Sequence, residues 1–186
     1  MLTSGAWFSY DYWASAEERA HAEFEQGMRG LIPGSYPEAI RHFDRAIDIW
    51  PSFADAYAFR GVAHRQRGQA KEALQDLDEA LRLNPDFSMG LVERGRLMAE
   101  AGNTEQALAD FDRAVRLNPS SSSYFQRGQL HDGRGEHERA LADFNQAISL
   151  QSDAPYAYRA RAAVKRRLGD EEGARSDQET ANRLER

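Results

Sequence analysis

A pair of small residues returns along this chain at a nearly fixed interval, and that interval restricts the fold more than any other feature. Gly27 and Ala39, Gly61 and Ala73, Gly95 and Ala107, Gly128 and Ala140, and Ala162 and Ala174 are successive copies of one pattern. Their second members fall at 39, 73, 107, 140 and 174, giving steps of 34, 34, 33 and 34 residues. A fixed period between about 20 and 50 residues marks a stacked array. In such an array each unit buries its apolar face on its neighbours, and there is no single central core.

Each unit reads as two helices. In residues 54–87 the first is predicted from about Ala54 to Arg67 and the second from about Lys71 to Leu83. Gly68 stands between them, where a left-handed residue ends a helix without a Cβ penalty. Asn84-Pro85 ends the second, because proline cannot continue a helix and pushes the preceding residue out of the α region. Leu77, Ala80, Leu81 and Leu83 give the second helix an apolar stripe at three- and four-residue steps. Gly61 and Ala73 are expected where the paired helices cross.

At these residues the sequence resembles the tetratricopeptide family, whose signature sets aromatic, Leu, Gly and Tyr positions on one helix and Ala, Phe and Pro on the next. The resemblance covers residues 20–186 in five units, about 20–53, 54–87, 88–120, 121–154 and 155–186. The fourth position holds Tyr57, Leu91, Tyr124 and Tyr158, and the eighth holds Gly27, Gly61, Gly95, Gly128 and Ala162. The twenty-fourth holds Phe43, Leu77, Phe111, Phe144 and Gln178. The proline position holds Pro51, Pro85 and Pro119, then Ser152 and Arg186. The resemblance implies an all-α, right-handed α-solenoid of tandem helix-turn-helix repeats. Repeat 5 turns polar at Gln178 and Asn182 and reads as a solvating cap. Residues 1–19 form an aromatic-rich arm or cap before the array, with Trp7, Phe8, Tyr10, Tyr12 and Trp13 inside seven residues.

Composition excludes several classes of function. There is no cysteine, which removes disulfides, thiolate catalysis and zinc–thiolate sites. A net charge of −6 argues against non-specific nucleic-acid binding, which needs a dense basic surface. No stretch has the apolar length to span a bilayer, and the start lacks the basic and apolar regions of a signal peptide. A cytoplasmic location is the resulting expectation. Only Lys71 and Lys165 interrupt the arginines, a bias expected of GC-rich bacterial coding. There is no HExxH, phosphate loop or GxSxG elbow, so no enzyme, metal or cofactor is expected. The polar run from His131 to Glu138 could offer divalent-metal ligands, but it also reads as an ordinary solvated turn.

Two sets of residues remain. The seventh position of repeats 2 to 5 is Arg60, Arg94, Arg127 and Arg161, and the twenty-third is Asp76, Asp110, Asp143 and Asp177. Repeat 1 lacks both and carries Gln26 and His42 there. Joint presence and joint absence predict ion pairs within each repeat, between its two helices, that serve the fold and bind no ligand. In the family, positions 2, 5, 9 and 12 face a concave peptide-binding groove. Carried over, the resemblance implies a groove that includes Phe24, Met28, Leu31, Val62, Arg65, Val92, Arg96, Phe125, Gln129, Arg159 and Arg166. It is apolar early and basic later, which suits a partner segment with a hydrophobic anchor and acidic side chains. The family's carboxylate clamp for chaperone tails uses Lys and Asn where this chain has Phe24, Met28, Phe59, Met89 and Glu93. That ligand is not expected. The expected function is a non-catalytic protein-interaction adaptor. The alternative is a self-assembly module that forms a homo-oligomer through residues 1–15.

Overall fold

A computed structural model describes the backbone of residues 5–186 and the side chains from residue 16 onward. Among the described residues there are ten helices and no strand. They are α1 (Gly5–Arg29), α2 (Tyr36–Ile49), α3 (Ala54–Gln66), α4 (Ala70–Leu83), α5 (Ser88–Glu100), α6 (Thr104–Leu117), α7 (Ser121–Gly133), α8 (His137–Leu150), α9 (Pro155–Arg167) and α10 (Glu171–Leu184). This is an all-α helical repeat fold. No helix among the described residues is long and apolar enough to cross a membrane.

The helix ends follow from the turn residues. The fifteenth position of every repeat is glycine, and Gly34, Gly68, Gly102, Gly135 and Gly169 all have φ between 74° and 94°. A side chain is strained in that region, so glycine is the residue that lets the first helix stop and the second begin. The first helix of repeat 1 stops early, at Arg29, leaving Leu31 in the turn. Gly30 and Pro33 both oppose continuation there. The second helices of repeats 1 to 3 end before Trp50, Asn84 and Asn118; the Asn84 N–H still bonds the carbonyl of Ala80. Repeat 4 opens differently, because Ser120 and Ser123 form a reciprocal capping box at 3.1 Å and 3.0 Å. Its connection, one residue shorter than the others, therefore starts α7 with two otherwise orphaned N–H groups satisfied.

The chain divides into two compact units, Met1–Glu93 and Arg94–Arg186. In the first, α1 packs on α2, α2 on α3 and α3 on α4. In the second, α7 packs on α6 and α8, and α9 on α8 and α10. Helix crossings are set by the eighth and twenty-fourth positions. A Cβ at Gly27, Gly95 or Gly128 would lie 2.5, 2.6 or 2.8 Å from the ring of Phe43, Phe111 or Phe144. Each of those rings is at most 1% exposed. The phenylalanine thus fills the volume that glycine leaves empty. Repeat 5 has Ala162 at the eighth position and Gln178 at the twenty-fourth, so the small residue relaxes where the ring is gone.

The arm expected over residues 1–19 and the first helix of repeat 1 share one backbone helix, α1. The aromatic side chains of that arm, Trp7 to Trp13, lie outside the described residues.

Candidate functional site

The position-seven arginines sit on the first helix of each repeat, one turn beyond the fourth-position side chain, and face the second helix. The structure brings each to its own repeat's aspartate through Nε and Nη2. The two distances are 2.9 and 2.6 Å for Arg60–Asp76 and 2.8 and 2.8 Å for Arg94–Asp110. They are 2.9 and 2.7 Å for Arg127–Asp143 and 2.8 and 2.6 Å for Arg161–Asp177. All four aspartates are buried. A buried carboxylate needs such a two-pronged, charge-assisted partner. The Arg60, Arg127 and Arg161 guanidinium groups also lie 5.4–5.6 Å from the ring centres of Tyr57, Tyr124 and Tyr158, within cation–π range.

The third prong reaches a residue that sequence reasoning overlooked. Arg60 Nη1 bonds Asp44 at 2.6 Å, Arg127 Nη1 bonds Asp112 at 2.8 Å, and Arg161 Nη1 bonds Asn145 at 2.7 Å. These partners occupy the twenty-fifth position of the preceding repeat. One guanidinium therefore joins the two helices of its own repeat and ties them to the repeat before. Burial works against the charge of Arg60, but the bonds it donates to Asp76 and Asp44 outweigh it and hold its pKa above the ordinary value. The bond donated to Asp143 does the same for Arg127, ahead of the burial penalty. Burial pushes the Asp177 carboxyl up, yet Arg161 and Lys165 together pull it below its ordinary value. Lys165 is an extra cation 2.9 Å from Asp177. In repeat 1, His42 instead bonds Glu23 at 2.7 Å.

The polar turn of repeat 4 is tied by its own side chains and by one arginine of repeat 5. His131 Nδ1 is 2.8 Å from Glu136, His137 Nδ1 is 3.0 Å from Asp132, and Arg167 reaches Asp132 at 2.5 Å. Bonds from His131, Arg139 and Arg134 push Glu136 down to about 2. Among the described residues, no three acidic or histidine side chains come together as a metal site.

The groove residues divide by unit. In the first unit Phe24 is half-buried, with ring centres of Phe43, Phe53 and Phe59 at 5.7, 5.1 and 5.4 Å. Met28, Leu31 and Val62 are half-buried, and Val92 is buried. The Arg65 side chain is 10% exposed and lies 3.5 Å from Glu93, so it presents little charge to a ligand. In the second unit Arg96, Phe125 and Gln129 line one cleft of about 540 Å³, together with Ala99, Glu100 and Leu130. Tyr156 stands edge-on to Phe125 with ring centres 4.7 Å apart. Arg159 and Arg166 are exposed on α9, and Arg159 bonds Glu185.

The family model described as tetratricopeptide repeat matches residues 34–88, 65–122 and 92–155. The chain belongs to the tetratricopeptide repeat family. Proteins of this family are generally scaffolds for protein–protein interaction, and that general role is this chain's too. A search of the curated proteins finds no match. Among solved structures the chain is similar to PilF of Pseudomonas aeruginosa, with TM-score 0.85, 20% identity, and coverage of 91% of this chain and 78% of that one. It is similar to TTC0263, a tetratricopeptide protein of Thermus thermophilus, with TM-score 0.76, 23% identity, and coverage of 89% and 91%. YrrB, titled a tetratricopeptide protein with an unusual peptide-binding site, gives TM-score 0.65, 20% identity, and coverage of 92% and 91%. At these identities the likeness is one of fold.

Proposed function

We propose that this tetratricopeptide protein is a non-catalytic adaptor whose first-helix face binds an extended protein segment carrying an aromatic or aliphatic anchor and acidic side chains. The observation that supports this most is the cleft of the second unit. It is open at the family's ligand-facing positions in repeats 3 and 4, where Arg96, Ala99, Phe125 and Gln129 meet. The edge-on pair of Phe125 and Tyr156 offers an apolar surface, and the Gln129 amide can both donate to and accept from a peptide backbone. Arg96, Arg159 and Arg166 supply guanidinium groups, which take carboxylates in two-pronged fashion. In the first unit the recognition is apolar, through Phe24, Met28, Leu31 and Val62. Arg65 has no direct part in it, since Glu93 already faces that side chain.

Selection of a phage-displayed random peptide library on the full chain tests this reading. The expected winners combine an aromatic or aliphatic residue with Asp or Glu, and a fluorescent copy of one winner measures affinity. Phe125→Ala and the pair Arg159→Glu, Arg166→Glu are each expected to weaken it at least tenfold, with helicity unchanged. Winners without acidic residues, or equal binding by the variants, would refute the assignment.

A further inference from the structure

We infer that Glu185 is a built-in competitor for acidic partners, seated on the Arg159 guanidinium until a partner's carboxylate replaces it, an assignment that rests on the adaptor reading above. Arg159 stands on the second turn of α9, and Glu185 follows the last residue of α10. Lys165, near the end of α9, reaches the carbonyl of Gly173, near the start of α10, at 3.4 Å. The two helices therefore run antiparallel, and the start of α9 meets the end of α10. There Arg159 Nη1 donates to Glu185 Oε1.

This contact is particular to repeat 5. Arg159 and Glu185 hold the fifth and thirty-first positions, where the repeats before carry uncharged pairs, from Phe24 and Trp50 to Phe125 and Gln151. The repeat plan thus requires no ion pair there. Exposure separates it from the ladder as well. The Arg159 and Glu185 side chains are 43% and 44% exposed, whereas Asp177, which anchors Arg161, is 6% exposed.

The placement makes Glu185 easy to displace. Its carboxylate lies at the C-terminal end of α10, where the helix dipole is negative and disfavours an anion. An exposed ion pair is weak and its side chains reorient within nanoseconds, so an outside carboxylate can exchange with Glu185 while the backbone stays in place. The Arg65 and Glu93 side chains, 10% and 14% exposed, are too enclosed for such an exchange.

The pair also selects among partners. A single acidic side chain only takes the place of Glu185. Arg166 lies seven residues beyond Arg159, two turns along the same face of α9, or about 10 Å. Acidic residues about three apart in an extended segment span that distance and gain a second guanidinium. The competitor therefore favours clustered acids over isolated ones. If Glu185 covers Arg159 for about four-fifths of the time, the apparent Kd of a ligand that needs Arg159 is about fivefold above its intrinsic value.

Fluorescence anisotropy of the full chain tests this with a labelled peptide of one tryptophan followed by four glutamates, beside the same peptide with four glutamines. Glu185→Gln is expected to lower the Kd of the glutamate peptide about two- to fivefold and to leave that of the glutamine peptide unchanged. In an Arg159→Gln background the same replacement is expected to have no effect. Phe125→Ala tests the adaptor reading separately and is expected to weaken both peptides. A weakened Phe125→Ala with no tightening in Glu185→Gln would overturn the competitor and leave the adaptor standing. A Glu185→Gln gain that persists without Arg159 would overturn it too. No binding of either peptide to wild type or Glu185→Gln would overturn both readings, while unchanged binding in Phe125→Ala would refute the cleft alone.

Discussion

The replacement Arg127→Leu isolates what the arginine ladder contributes to stability. It keeps an apolar side chain of helical type but removes both bonds to Asp143, the bond to Asp112 and the contact with the Tyr124 ring. Asp143 is 5% exposed, so its carboxylate would stay buried with its guanidinium gone. Removing one partner of a buried pair costs about 3–5 kcal/mol. The Arg127 side chain is 20% exposed, so water can enter once it is cut back, which places the loss near the low end of that range. The Asp112 bond is more exposed and adds at most about 1 kcal/mol, and the cation–π contact adds about 0.5–1 kcal/mol. The expected total is about 3.5–5 kcal/mol.

Two further variants separate this from a general loss of packing. Adding Asp143→Leu removes the stranded charge, so the double variant should be more stable than Arg127→Leu alone by about 2 kcal/mol. Arg161→Leu should cost less than Arg127→Leu, because Lys165 stays 2.9 Å from Asp177. Urea unfolding followed by circular dichroism gives the global change, and hydrogen exchange of the α7 and α8 amides gives the local one. The second readout matters because repeat arrays open in part. A loss below about 1 kcal/mol for Arg127→Leu, or a double variant no more stable than the single, would refute the reasoning.

Three more outcomes follow from the packing and the charges. Gly95→Ala should destabilise by about 1–3 kcal/mol through the clash with Phe111, despite a helix-propensity gain of about 1 kcal/mol. Ala162→Gly, with no ring opposite, should also destabilise, by about 1 kcal/mol; thermal melts read both. Ser120→Ala should cost about 1 kcal/mol by removing the α7 cap, seen as faster exchange of the Ser123 amide. Asp177 is held below its ordinary 3.8, so it adds stability above that pH and loses it as pH falls through the lower folded value. Asp177→Asn should therefore flatten the acid limb of the stability curve below about pH 4, measured by urea midpoints between about pH 2 and 7. Glu136, lowered from 4.5 to about 2, likewise adds stability that is lost as pH falls between those two values.

The fold was legible because its determinants are local and periodic. Glycine at the fifteenth position and the small pair at the eighth and twentieth recur in phase with the helices. The in-repeat partners of the arginines were legible too, since repeat 1 loses both members together. The third prong was harder to read. Asp44, Asp78, Asp112 and Asn145 recur at the twenty-fifth position as regularly as the arginines, but an acidic or amide residue on an outer helix face reads equally well as solvated. Reading Ser120 and Ser123 as a cap required knowing where α7 begins. Arg65 was misleading as a ligand-facing cation because its partner Glu93 lies in the next repeat. The twelfth position does not reveal a neighbour 28 residues away.

These positions sort the arginines of the chain into two groups that composition cannot separate. Positions seven and nine on a helix lie about 200° apart, on nearly opposite faces. The position-seven side chains are each committed to a buried aspartate, and Arg60, Arg127 and Arg161 also to the preceding repeat. Their loss would weaken the array whether or not a ligand is bound. Arg96 at the ninth position, Arg159 at the fifth and Arg166 at the twelfth stand outside that ladder. Arg159 and Arg166 are exposed, so the proposed recognition of an acidic partner can be tested there with little disturbance of the ladder. Charge reversal at Arg166 should alter binding and leave the unfolding midpoint in place, whereas Arg127→Leu should lower the midpoint even with no partner present.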